Sequence, residues 1–99
     1  MFCHVSTAYV GSNQKSGSTI LEEIWDAPGV PDWEEQLKLI SSLTRAEIEP
    51  RERELCYGYG NTYTYTKNLA ERHLERYGKN LKIVVCRPSM IIHCALEPL

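Results

Sequence analysis

The stretch Asn61-Thr62-Tyr63-Thr64-Tyr65-Thr66-Lys67 opens a helix-forming run with a tyrosine and a lysine four residues apart. On a helix, positions i and i+4 share one face, a turn apart. A lysine ammonium at that spacing sits near the phenol and can share one ligand with it. A phenol beside a cation holds its proton less tightly than free tyrosine, whose pKa is about 10. Such a pair suits general acid–base work near neutral pH. Tyr-x-x-x-Lys also fits an ordinary amphipathic helix, so its meaning rests on the elements that position it.

Length and composition narrow those elements. Ninety-nine residues make one small domain at most. The 11 basic and 13 acidic side chains leave a net charge of −2, without the basic excess of a nucleic-acid footprint. No apolar run approaches the ~20 residues of a membrane span. The start, Met1-Phe2-Cys3-His4-Val5, lacks the basic region and apolar stretch of a secretory signal. Cys3, Cys56, Cys86 and Cys94 match no zinc spacing. They read as reduced, mostly buried thiols of an intracellular protein. His4, His73 and His93 have no acidic or sulfur partners at ligand spacing, so no metal site is expected.

Residues 2–10 form a β-favouring run, and residues 11–18 are loop material rich in turn formers. Residues 19–25 are too short a stretch to assign. Asp32 reads as a helix cap with Glu35 reaching back to it. Leu37, Ile40 and Leu43 follow on one face, and the helix is expected to end near Glu49, before Pro50. Residues 51–54 are a solvated charge run, followed by Tyr57-Gly58-Tyr59-Gly60.

Asn61 or Thr62 caps the third helix. Its expected buried stripe is Tyr63, Lys67, Ala70, Leu74 and Tyr77, with Glu71, Arg72, Glu75 and Arg76 on the solvated side. Gly78 ends it. Residues 81–86 are nearly continuously apolar, as in a strand covered on both faces. The order is strand, loop, helix, loop, helix, strand, which implies a parallel sheet in an α/β fold. Two strands alone make no stable parallel sheet, so the sequence reads as the second half of a larger domain.

Three motifs in order, His4-Val5-Ser6-Thr7-Ala8-Tyr9-Val10, residues 61–71, and Val84-Val85-Cys86-Arg87-Pro88-Ser89-Met90-Ile91, resemble the eukaryotic fatty acyl-CoA reductases. These are extended short-chain dehydrogenase/reductases. Glu22-Glu23, the Trp33 helix, the Leu43-Thr44 stretch and the closing Glu97-Pro98 carry the likeness across essentially the whole chain. The resemblance implies a doubly wound Rossmann domain, NADPH as cofactor, and long-chain acyl-CoA reduced through an aldehyde to the fatty alcohol. It implies Tyr63 as general acid and Lys67 as holder of the cofactor ribose. It implies Thr7 as the hydroxyl that orients the carbonyl, with Ser6 the competing residue and a cofactor contact. Pro88, Ser89 and Met90 would lie along the nicotinamide. Association with peroxisomal or endoplasmic-reticulum membranes is implied by the family alone.

The sequence departs from the family in having no Gly-x-x-Gly-x-x-Gly turn after a first strand, the element whose amides cradle a cofactor pyrophosphate. Residues 1–99 are therefore expected to be a partial Rossmann domain without its glycine-rich half. Alone they are expected to be inactive and to dock to the missing half or to an intact reductase. Two other readings stay open: a different extended reductase or epimerase, and a non-enzymatic remnant.

Overall fold

A computed structural model describes residues 1–26 and 29–92 of the chain. His93, Cys94 and the Glu97-Pro98 pair lie outside the described residues. Two strands, β1 (Phe2–Val5) and β2 (Ile83–Cys86), pair in parallel, with Phe2 opposite Ile83 and Val5 opposite Cys86. Between them run α1 (Trp33–Ser42), α2 (Arg45–Ile48), a 3-10 turn (Glu49–Arg51), α3 (Glu52–Leu55) and the long α4 (Thr62–Tyr77). This is the expected α/β order, with a parallel pair joined by a helical crossover.

β1 is shorter than the β-favouring run that contains it. Residues 8–10 turn away instead: Tyr9 N–H donates to Thr7 Oγ1 (3.3 Å) and Val10 N–H to the Thr7 carbonyl (3.2 Å). Ladder-like bonds nevertheless continue past the strand, from Ser6 N–H to the Cys86 carbonyl (2.7 Å) and from Ala8 N–H to the Pro88 carbonyl (2.9 Å).

The helix expected over residues 32–49 is broken at Leu43. Asp32 caps α1 by accepting from Glu34 N–H (3.2 Å). A second start follows at Thr44, whose N–H (2.7 Å) and hydroxyl (2.8 Å) both donate to the Glu47 carboxylate. That Thr-x-x-Glu capping box restarts the helix, and its hydrogen bonds hold the Glu47 carboxyl below its ordinary pKa. The α-helix ends at Ile48 with Glu49 as its C-cap, near the expected end, and Pro50 occupies the first turn of the 3-10 segment that follows, where a missing N–H is tolerated. The buried side of α1 is Trp33 and Gln36, while Leu37 is exposed.

α4 also buries a different face from the one its charges suggest. Thr64, Tyr65, Asn68, Glu71 and Arg72 are buried, and Tyr63 and Tyr77 are exposed. Asn61 is the cap, accepting from Thr64 N–H at 2.9 Å. Gly78 closes the helix, with its N–H on the Leu74 carbonyl at 2.7 Å. A side chain there is excluded because an added Cβ would fall 2.5 Å from the backbone carbonyl oxygen of Leu74.

A small core of Cys56, Tyr59 and Tyr65, flanked by Ile40, Tyr57 and Leu69, sits between the short helices and α4. Burial pushes the Tyr59 and Tyr65 phenols up to about 12. The folded chain keeps protons on these phenols that an unfolded chain releases near 10. Stability is therefore expected to fall as pH rises from about 10 to about 12, by of order 2 kcal/mol per phenol. Urea unfolding across that interval checks this, and a flat profile would contradict it.

Among the described residues the sheet is covered on one face only. Val5 and Val84 are exposed, and Cys3 and Cys86 lie beside them with sulfurs 3.7 Å apart. The expectation of a strand covered on both faces is thus corrected, and so is that of mostly buried thiols: of the described cysteines only Cys56 is buried. In the folded chain, Cys3 and Cys86 are expected to alkylate at least about ten-fold faster than Cys56, which reacts through opening of the core. Mass spectrometry of briefly alkylated protein measures this. No helix among the described residues is long and apolar enough to cross a membrane.

Candidate active site

The first turns of α4 lie at the carboxyl end of the strands. Lys67 Nζ donates to the Val5 carbonyl (2.9 Å), the last residue of β1. One of its three N–H donors is thereby used and two remain. The same ammonium lies 6.0 Å from the centre of the Tyr63 ring, as the four-residue spacing requires. Tyr63 is 54% exposed, and its hydroxyl has no hydrogen-bond partner among the described residues. Tyr65, two residues on, faces the other way: its hydroxyl donates to Gln36 Oε1 (2.9 Å) inside the core.

Ser6 and Thr7 follow directly on Val5, and both are buried. Thr7 Oγ1 accepts the Tyr9 N–H, which leaves its own proton free to be donated. Ser6 Oγ is buried with no hydrogen-bond partner among the described residues. Pro88 lies against this pair through its carbonyl bond to Ala8 N–H. Val5, Ser6, Thr7, Lys67 and Pro88 are thus brought to one end of the sheet, where ligands of parallel α/β folds bind. Ser89 and Met90 are not held there. Both are exposed, Met90 to 75%, with no hydrogen bond to the other candidates.

Sequence reasoning missed the groups behind this end. Arg87 donates twice to Glu71, at 3.0 and 2.5 Å, and reaches the carbonyls of Leu21 (3.2 Å) and Glu23 (2.7 Å). Asn68 donates to the Trp25 carbonyl (2.8 Å). Arg72 donates to the Pro31 carbonyl (3.0 Å) and pairs with Asp26 (3.2 Å). The signal available was spacing, since Glu71 follows Lys67 by one further turn.

The whole chain, residues 1–99, matches the model of the male sterility protein family of NAD-binding domains. The chain belongs to that family. It is 38% identical over 104 residues to fatty acyl-CoA reductase 1 of Xenopus laevis, covering 99% of this chain and 18% of that protein. It is 37% identical over 100 residues to fatty acyl-CoA reductase 2 of Homo sapiens, covering 98% and 18%. With fatty acyl-CoA reductase wat of Drosophila melanogaster it shares 33% over 95 residues, covering 96% and 17%. The chain thus spans under a fifth of the length of these relatives. No solved structure matches it.

Membership implies a nicotinamide dinucleotide, and the end of the sheet fits one half of it. The unpartnered Ser6 Oγ and the two spare donors of Lys67 suit the hydroxyls and amide of a nicotinamide riboside. Nothing described suits the pyrophosphate. Gly58 and Gly60 follow α3 rather than a strand, so no glycine turn opens a helix behind a strand.

Proposed function

We propose that these residues form the catalytic portion of an NADPH-dependent, alcohol-forming fatty acyl-CoA reductase. The observation that carries the reading is the bond from Lys67 to the last carbonyl of β1. It brings the Lys67 turn of α4 to the residue that directly precedes Ser6 and Thr7, at the carboxyl end of β1. Its second support is the likeness to three proteins named fatty acyl-CoA reductases.

In this reading the bound dinucleotide supplies the hydride. Negative charge then grows on the carbonyl oxygen of the acyl-CoA or aldehyde, and preorganised donors aimed at that oxygen are the chief catalytic contribution. Tyr63 donates its proton there as general acid. Thr7, its oxygen already engaged by Tyr9 N–H, donates its hydroxyl proton to the same oxygen and orients it. Lys67 binds the ribose with its spare donors and favours the phenolate left on Tyr63. Ser6 and Pro88 line the cofactor side, with Ser89 and Met90 completing that wall once the ligand is bound.

The 99 residues act as part of a Rossmann domain whose glycine-rich half lies elsewhere. That half, or an intact reductase, covers the exposed sheet face of Val5 and Val84. The acyl-CoA is long-chain, and any membrane association resides outside the described residues.

The test exchanges this segment, in frame, for the residues it matches in the Xenopus laevis relative and follows NADPH oxidation. Oxidation that depends on a long-chain acyl-CoA is the expected result, and its absence would overturn the reading. In that protein Cys3 and Cys86 are expected to lose the fast alkylation of the isolated chain. The isolated chain is expected to show no saturable NADPH binding.

A further inference from the structure

Glu71 is completely buried on α4, one turn beyond Lys67, and the Arg87 side chain is 17% exposed. The two meet through paired bonds of 3.0 and 2.5 Å, and the same guanidinium holds the carbonyls of Leu21 and Glu23. One side chain thus ties together α4, the end of β2 and the unstructured stretch after β1. A buried ion pair adds little net stability compared with an apolar pair of similar volume, so stability alone gives no reason for it. What a forked guanidinium does supply is geometry, because its donors are fixed in one plane. That geometry is imposed next to the proposed site. Pro88 is the next residue along the chain, and Lys67 lies one turn back along the helix. Arg87 also borders a small pocket of about 40 Å³ lined by Ile20, Leu21, Glu23 and Trp25 of the stretch it holds.

We propose that Arg87, locked by Glu71, is a positioning residue that holds the Pro88 wall, residues 21–23 and the Lys67 turn of α4 as one rigid unit around the bound cofactor. The inference rests on the reductase reading above. Without the clamp, the Pro88 segment and the Lys67 turn shift separately, and small displacements of binding groups are costly for catalysis.

The test uses Arg87→Lys and Glu71→Gln in the segment-exchanged Xenopus laevis reductase, with rates normalised to active sites. Lysine keeps the charge but loses the fork, and glutamine keeps an acceptor but loses the charge. Both variants are expected to raise KM for NADPH about ten-fold. The double variant is expected to be no worse than either single one, because both break the same unit. A purely structural role would lower the active fraction and leave KM unchanged, and that result overturns the proposal. Should a variant fail to fold, amide exchange in the unsubstituted protein decides. NADPH is expected to slow exchange of residues 19–25, and exchange there that ignores NADPH overturns the clamp. An exchanged reductase with no activity before any substitution overturns the functional reading instead.

Discussion

Tyr63→Phe is expected to lower turnover of the segment-exchanged reductase about a thousandfold, the middle of the range for losing a positioned general acid. Phenylalanine keeps the ring beside Lys67 and removes only the hydroxyl. The ring is half-exposed on the first turn of α4, and that hydroxyl makes no bond within the described chain. Little folding energy is therefore at stake. The control is Tyr65→Phe, two residues away. Its hydroxyl donates to the fully buried Gln36, and burial already pushes that phenol up to about 12, far from the range useful to an acid at neutral pH. Losing it strands the Gln36 carbonyl and costs about 1–3 kcal/mol of stability, with turnover per folded molecule largely kept. Steady-state rates and thermal midpoints of the two variants separate these effects. Equal losses of turnover in both would show that the tyrosines act through packing and would remove Tyr63 from its role.

The contrast between those neighbours marks what the sequence could reveal. Local signals were legible: a cap at Asn61 or Thr62, which is Asn61 in the fold, Gly78 as a stop, and the four-residue spacing that brings Lys67 to Tyr63. The break at Leu43 was legible too, in the Thr44-x-x-Glu47 pattern, but the apolar positions at Leu37, Ile40 and Leu43 spoke louder for one continuous helix. The buried face of α4 was not legible. Glu71 and Arg72 read as solvated because charges usually are. They are buried here because distant segments supply partners: Arg87 for Glu71, and Asp26 with the Pro31 carbonyl for Arg72. No pattern within a helix announces a partner that arrives from another element. The meeting of Lys67 with Val5 has the same character, because it depends on the helix lying across the end of β1. Strand register was equally out of reach. It sets Pro88 beside Ala8, and so decides that Pro88 reaches the site while Ser89 and Met90 stay outside the hydrogen-bonded end.

Glu71→Ala is expected to produce the largest loss of stability of any single change considered. The substitution removes the counter-charge and two hydrogen bonds from a guanidinium that stays mostly buried, leaving it the carbonyls of Leu21 and Glu23 alone. Breaking a buried pair in this way costs about 3–5 kcal/mol, a large share of the roughly 5–15 kcal/mol that holds a domain together. In the segment-exchanged reductase, more than five times the length of this chain, this should lower the thermal midpoint by roughly 3–4 °C. Replacing both partners, as Glu71→Leu with Arg87→Met, removes the stranded charge as well as the pair. Most of the lost stability should then return, because an apolar pair of similar volume fills the same space without desolvating ions. Activity should not return with it, since neither new side chain can hold residues 21–23 or fix Pro88 against the Lys67 turn. A double variant that recovers both stability and KM would show that the ion pair serves packing alone. One that recovers stability while KM for NADPH stays raised separates the two roles, because the same volume is then filled and only the directed bonds are missing.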